Sequence, residues 1–526
     1  MRLVRAAVVA GLSLGYFAFV FRVSEGTFLT TGLGDWLDPY FINYLLEHWV
    51  TSLPRLADPS SPPMYFPATG TLGYSHALML FVPFYALPRL FLHPFIAYNL
   101  CIFLVLLAGT WSLYAILRRY AGLDFFTSLL LTAFFATSEN VVNGLTGVWT
   151  QRASVFLIPP IVLVGLTAAR LADGWWRTAL AALTGLSAIL LFSHDFYTGM
   201  LALLVAALSG AAAFVTHGPQ IRQASVDFWR TNQRYVLAMG AGGAVGVCIF
   251  LFIHLDAYKA HSRFPEDNLL NQLVVVDSSK WQSTADAVSN LVRYPSMRTF
   301  VLALLVVGLA WVPYFGVRRE DRRYGLWFLL VSLLVLVIPL RWHNFSIWRA
   351  FFEPLPGFSA IRDPKRIAYL YELGAVCVAA LFFMRLPKAS ALRAIVLVLL
   401  LLFLAGDWNR ERFDFNRPRA PFERWVTAPI AADPSCRSFF IKGASAGYMA
   451  RASHMWALYN VDAAFIALER RIPTLNGYSA WWPEGWGLGN PQEPEYQQQV
   501  DRWIDRHQLR GVCALDIDAR TMVPYR

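Results

Sequence analysis

Charge is what this chain has least of. Asp, Glu, Lys and Arg together make 15% of its 526 residues, where a soluble domain carries about 25%. Cysteine is also scarce, five in all, with no CxxC pair and no metal-ligand spacing; that excludes zinc ribbons and thioredoxin-like redox motifs. There is no phosphate-cradling glycine loop and no GxSxG elbow, so P-loop nucleotide hydrolysis and α/β-hydrolase chemistry drop out. No repeat of 20 to 50 residues, no low-complexity tract and no nucleic-acid signature is present, and no nucleic-acid partner is expected.

What is there is apolar. The composition is 56% hydrophobic and 15% aromatic, with a mean hydropathy of +0.44. Apolar runs of roughly 17 to 22 residues recur along the chain, the length a helix needs to cross a bilayer. The expected class is therefore a polytopic α-helical membrane protein. Its net charge of +11 is read as arginines on cytoplasmic loops and at headgroup depth. Cys101, Cys248 and Cys377 sit inside apolar runs and read as inert core residues. Cys436 and Cys513 lie in the polar tail, where a disulfide is the expectation if the tail is extracytoplasmic. The Gly240 to Gly246 run lies inside a span and reads as close helix packing.

Arg2 and Arg5 ahead of the first apolar run place the N-terminus inside. That run has no small-x-small cleavage site after it, so an uncleaved span is expected rather than a signal peptide. The segment 77–92 is apolar but short, and it holds Pro83, Pro88 and Arg89. If it spans, the clusters at Arg118-Arg119, Arg170 with Arg177, Arg318 to Arg323, and Arg385 with Lys388 all fall outside. If it lies in the interface, all four fall inside. The second choice obeys the positive-inside rule. Eleven spans follow, near 3–22, 96–117, 123–138, 153–171, 178–194, 196–216, 235–254, 298–316, 324–340, 366–384 and 392–407. The functional material then lies outside, in 23–95, 139–152, 255–297, 341–365 and the tail. The domains are 1–407, embedded in the membrane, and 408–526, an extracytoplasmic α/β domain. In that tail, 438–441 and 512–515 read as strands and 496–507 as a helix. An aromatic loop, 476–483, faces either the membrane or a ligand. The segment 40–52 reads as an amphipathic helix on the membrane surface.

Five groups of residues could carry chemistry at the outer face. In Gly34-Asp35-Trp36-Leu37-Asp38-Pro39, Asp38 suits a helix cap, with Pro39 behind it, which leaves Asp35 as a carboxylate for general-base work. His76 precedes the short apolar segment. In Ile361-Arg362-Asp363-Pro364-Lys365-Arg366, three cations within five residues suit a phosphate. Glu139, with Gln151-Arg152, and His194-Asp195 stand at other outer turns, where polar groups often line a cavity.

The order of these features resembles the GT-C superfamily of integral-membrane glycosyltransferases. The similarity is to the group of protein O-mannosyltransferases, aminoarabinose transferases and uncharacterised bacterial relatives. It rests on a first span, an outer loop with an acidic motif, then Pro63-Met64-Tyr65-Phe66-Pro67-Ala68-Thr69-Gly70, His76 and Pro94-Phe95-Ile96-Ala97-Tyr98-Asn99. The resemblance implies a GT-C-like bundle of about eleven spans and inverting transfer of a sugar from a polyprenyl-phosphate donor. The acceptor would be a lipid, glycan or protein on the extracytoplasmic side, in a bacterial inner membrane with a periplasmic tail. It implies a catalytic Asp in the first outer loop, for which Asp35 fits best and Asp38 second. Arg362 would hold the phosphate, with His76, Lys365, Arg366, Arg152, Glu139, His194 and Asp195 as further binding candidates. The Asp-Glu pair of the mannosyltransferase branch is replaced by Asp-Trp-Leu-Asp. No cofactor is assigned, and a divalent cation stays open. The rival classes are a transporter or flippase of lipid-linked glycans, and a glycan polymerase or ligase.

Overall fold

The computed structural model describes residues 2–55, 58–142, 145, 149–260, 274–275, 411–443, 448 and 455–526, and within 327–407 it describes 327, 330–331, 333–334, 338, 340–342, 345–352, 361, 366–367, 369–385 and 391–407. The expected span 298–316 and most of 324–340 lie outside these residues. So do most of the loop 255–297 and of 353–365.

The chain is mostly helical. Among the described residues five helices are long and apolar enough to cross a bilayer: Pro94–Tyr120, Thr150–Arg170, Trp175–His194, Phe196–Val215 and Gly218–Ala257. Shorter apolar helices cover Val4–Val20, Phe125–Ala136, Glu372–Leu381 and Arg393–Leu402. The segment 77–92 does not make a span. It forms a short 3-10 turn, Met79–Phe81, and an eight-residue helix, Val82–Arg89, about 12 Å long. Leu87, Leu90 and Phe91 at its end are exposed, as an interfacial segment requires.

One helical element covers Phe196–Ala260, 65 residues, with Pro219 inside it. A straight helix of that length would reach ~98 Å, yet its two ends stand side by side. The Phe196 N–H donates to His76 Nδ1 (3.3 Å), and His254 Nδ1 lies 3.3 Å from the Gly73 carbonyl. The element therefore folds back through its polar middle, between the two apolar arms. The returning arm runs alongside Trp175–His194 in the same direction: Arg177 meets Asn232 and Ser193 meets His254 (3.0 Å). Glycines make the approach close. A Cβ on Gly185 would overlap the Met239 carbonyl, and one on Gly242 would overlap that of Ala182, the small-residue packing expected of the Gly240 to Gly246 run.

The tail holds a four-stranded sheet in the order Ala431–Ala432, Thr521–Pro524, Val512–Asp516, Ser438–Gly443. Ser438–Gly443 and Val512–Asp516 pair in parallel, so the chain between them must cross over. It does so through the helices Met455–Arg470 and Tyr496–His507. The amphipathic helix packs Val500, Trp503 and Ile504 against Phe440, Val512 and Ala514. Cys436 and Cys513 form a disulfide. Cys101 is buried as expected, but Cys248 and Cys377 are exposed on apolar helices, not in the core.

The tail docks on the first loop. Thr31–Gly32 pairs antiparallel with Arg417–Pro418. Trp503 Nε1 donates to the Phe66 carbonyl (2.9 Å), and the Tyr65 N–H donates to that of Asn476 (3.0 Å). This docking corrects the reading of 40–52 as a surface helix. The helix Asp38–Ser52 is buried at every residue from Pro39 to Trp49, because Tyr40, Tyr44 and Phe465 pack together across the junction and Tyr40 Oη donates to buried Asp462 (2.6 Å).

Candidate functional site

The segments expected on one side of the membrane meet at one end of the bundle, around a cavity of about 740 Å³. Its polar end is built from Asp38, His76, Gln151 and Arg366, its apolar wall includes Phe192, Phe196, Met200, Leu203, Phe250 and Leu251, and the tail supplies Tyr478 to Trp482. Leu203, Leu251 and Leu255 line the cavity and are exposed. That wall of the cavity is an open, apolar helix surface.

The two acidic residues of the first motif are not placed as expected. Asp38 is the first helical residue and Leu37 holds the cap position, with no side-chain capping bond. Asp35 Oδ1 instead accepts the Leu37 N–H (3.0 Å), an Asx-type turn, and Asp35 does not line the cavity. Pro39 lacks a donor, so its place in the first turn costs nothing. Asp38 is then turned into the cavity. Tyr478 Oη donates to its Oδ1 (2.9 Å), and Gln151 Nε2 donates to its Oδ2 (3.5 Å). Burial, with the Asp38 charge beside it, pushes the Tyr478 phenol far above its ordinary range. It therefore remains a donor at every working pH.

His76 Nδ1 stands 3.5 Å from Asp195 Oδ1. Burial pushes the imidazole below its ordinary value; Arg366 adds to that, and Asp195 and Asp38 oppose it. Asp195 is itself buried. Thr198 Oγ1 donates to its Oδ2, while its Oδ1 has no hydrogen-bond partner among the described residues.

Arg366 lines the cavity with its guanidinium 4.2 Å over the Tyr197 ring. Arg152 sits 4.1 Å over Trp149 and lines a small adjoining pocket with Asp195 and Arg366. His194 is adjacent but turned away: Ser154 Oγ lies 3.0 Å from its Nε2, and the Leu80 N–H donates to its Nδ1 (3.3 Å). Its part is to tie 78–80 to the bundle. Arg362 and Lys365, and the side chain of Glu139, lie outside the described residues.

So Asp38, His76 and Arg366 come together at the cavity, Arg152 and Asp195 stand just behind it, and Asp35 and His194 make hydrogen bonds to neighbouring segments away from it. Tyr478 and His254 were not picked out from the sequence. The aromatic density of 476–483 pointed to the first, and a lone histidine within an apolar run could have pointed to the second. Among the described residues no three His, Cys, Asp or Glu side chains converge as a metal-ligand set.

Chemically, the site pairs a hydrogen-bonded carboxylate, an imidazole and a guanidinium with a long apolar wall. That suits an amphiphile with an anionic head. A comparison with protein-family models finds no match, and none is found among curated proteins.

Proposed function

We propose that this chain is an inverting, membrane-embedded glycosyltransferase of GT-C type, using a polyprenyl-phosphate-linked sugar as donor. The observation that carries the reading is the cavity itself, apolar along the helices and headed by Asp38 and Arg366. A polyprenyl chain would enter from the bilayer along the Phe192, Met200 and Phe250 wall. The phosphate would lie near Arg366, and Arg362 and Lys365, close in sequence, would add charge.

In the reaction Asp38 takes the proton of the acceptor hydroxyl as its oxygen bonds to the anomeric carbon. The anomeric bond to the phosphate oxygen breaks on the opposite face. Its electron pair leaves with polyprenyl phosphate, whose growing charge Arg366 offsets. Tyr478 and Gln151 keep the carboxylate aimed. The wider frame is eleven spans in a bacterial inner membrane, with the N-terminus cytoplasmic and the tail periplasmic. The acceptor, a lipid, glycan or protein, would approach from the tail side.

The test is sugar transfer from a polyprenyl-phosphate donor in membranes holding matched amounts of protein. D38N is expected to lower the rate by about 10² to 10⁴-fold, the usual worth of a general base, and D35N to keep most of it. Wild-type transfer by D38N would remove Asp38 from the chemistry.

A further inference from the structure

His76 faces two unlike neighbours through one nitrogen. Its Nδ1 lies 3.3 Å from the Phe196 N–H, a donor, and 3.5 Å from Asp195 Oδ1, an acceptor. Neutral imidazole satisfies the first by accepting at Nδ1 and carrying its proton on Nε2. Among the described residues Asp195 Oδ1 is then left without a hydrogen-bond partner, although the residue is 3% exposed. A buried carboxylate oxygen without a donor is costly. A proton on Nδ1 would satisfy it with a charge-assisted bond, in exchange for the weaker neutral bond that the Phe196 amide, an orphan donor of a helix start, now makes to that nitrogen.

We infer that Asp195 is a positioning residue for His76, and that His76 takes up a proton and binds the phosphate as imidazolium, bridging Asp195 and the anion. This rests on the reading that the cavity binds a lipid-linked phosphate. Burial and the Arg366 charge favour neutral His76. An anion beside it reverses that balance, and Asp195 receives the second donor. The charged groups facing His76 are Asp195, Arg366 and Asp38. The imidazoles of His194 and His254 stand nearby but are held by Ser154, Ser193 and Gly73. His76 is the one that lines the cavity with Nδ1 against a carboxylate. Thr198 fixes the other Asp195 oxygen, so the carboxylate does not turn away.

The probe is farnesyl phosphate, binding to the purified full chain at pH 8, where the phosphate is already a dianion. Calorimetry in two buffers of different ionisation heat counts the protons taken up. Wild type is expected to take up a large fraction of one proton and, by linkage, to bind more weakly as pH rises. H76Q and D195N are expected to take up almost none, and D195N to bind about tenfold more weakly, as for loss of one charge-assisted hydrogen bond. Binding by wild type without proton uptake overturns the inference even if neither variant folds. So does D195N with wild-type uptake, an outcome a purely structural Asp195 would give. Failure of wild type to bind farnesyl phosphate at all would instead sink the lipid-phosphate reading beneath it.

Discussion

His93 stands at the start of the helix Pro94–Ala115, where its Nδ1 accepts the Phe95 N–H (3.2 Å). Only the neutral ring can accept there. Burial, then the charges of Arg419, Arg89 and Arg417, lower its pKa from 6.5 to about 4. Between those values the unfolded chain binds the proton and the folded chain does not. The stability His93 contributes is therefore whole above pH 6.5 and is lost as pH falls toward about 4. The H93N variant keeps an acceptor at the cap and has no proton to gain. It should lose less of its melting temperature than wild type between pH 7.5 and pH 5 in detergent, while H93A should be weaker by about 1 kcal/mol at pH 7.5. Parallel acid curves for wild type and H93N would refute this. The same scale shows where residue-level reading of the sequence stopped. A motif of two aspartates and a proline says that a helix begins. It does not say which aspartate faces solvent, turn or cavity, because a cap and a first helical residue differ by one position and both favour acids. Tyr478 decides it by donating to Asp38 from 440 residues away in sequence, a contact no local pattern carries.

Two glycines on the returning helix arm separate packing from propensity. A Cβ at Gly242 would meet the Ala182 backbone, whereas one at Gly240 would meet nothing within 4 Å. Replacing Gly242 by Leu should force the two helices apart, at a cost of about 1–3 kcal/mol or more, with a lower melting temperature and yield in detergent. G240L should behave like wild type, its side chain pointing away from the contact. Equal melting of the two variants would mean that the helices do not meet at this face. Elements were legible where periodicity or length alone decides. The tail strands and the helix Tyr496–His507 show their patterns openly, and 77–92 is too short and too rich in proline to span. The helix Asp38–Ser52 was misread because a stripe of apolar residues does not reveal what covers the other side. Here protein covers it: Tyr85 and Arg89 pair with Glu47, and the Pro59 carbonyl lies 2.9 Å from His48 Nε2. The helix Met455–Arg470 went unnoticed because its middle is apolar on nearly all sides, with Val461, Ala463, Phe465, Ile466 and Ala467 all buried.

At the scale of the whole molecule, a set of described arginines lies at the end of the helices away from the cavity. Arg170 donates to the Arg119 carbonyl (3.0 Å) and lies over Tyr120, Arg177 pairs with Asp173, and Arg393 pairs with Asp124. The cavity, the tail and the Asp38 cluster occupy the other end of the same helices. By the positive-inside rule the proposed orientation has the arginine end cytoplasmic and the tail outside. That proposal needs 77–92 to stay out of the parity count, and its eight-residue helix of about 12 Å is too short to cross ~30 Å of hydrocarbon. Two measurements on intact cells check this together. A cysteine-reactive, membrane-impermeant label should reach a single cysteine placed at exposed Asp518 and should not reach one placed in the polar turn at Gln223. Cys436 and Cys513, 77 residues apart, should resist alkylation until reduced, since an oxidising compartment preserves such a bond. C513S should then lower tail stability by about 2–5 kcal/mol, read as faster proteolysis from outside. Labelling at Gln223 with Asp518 protected would invert the molecule. It would put Asp38 and the cavity in the cytoplasm, where the site would need an inner-leaflet donor.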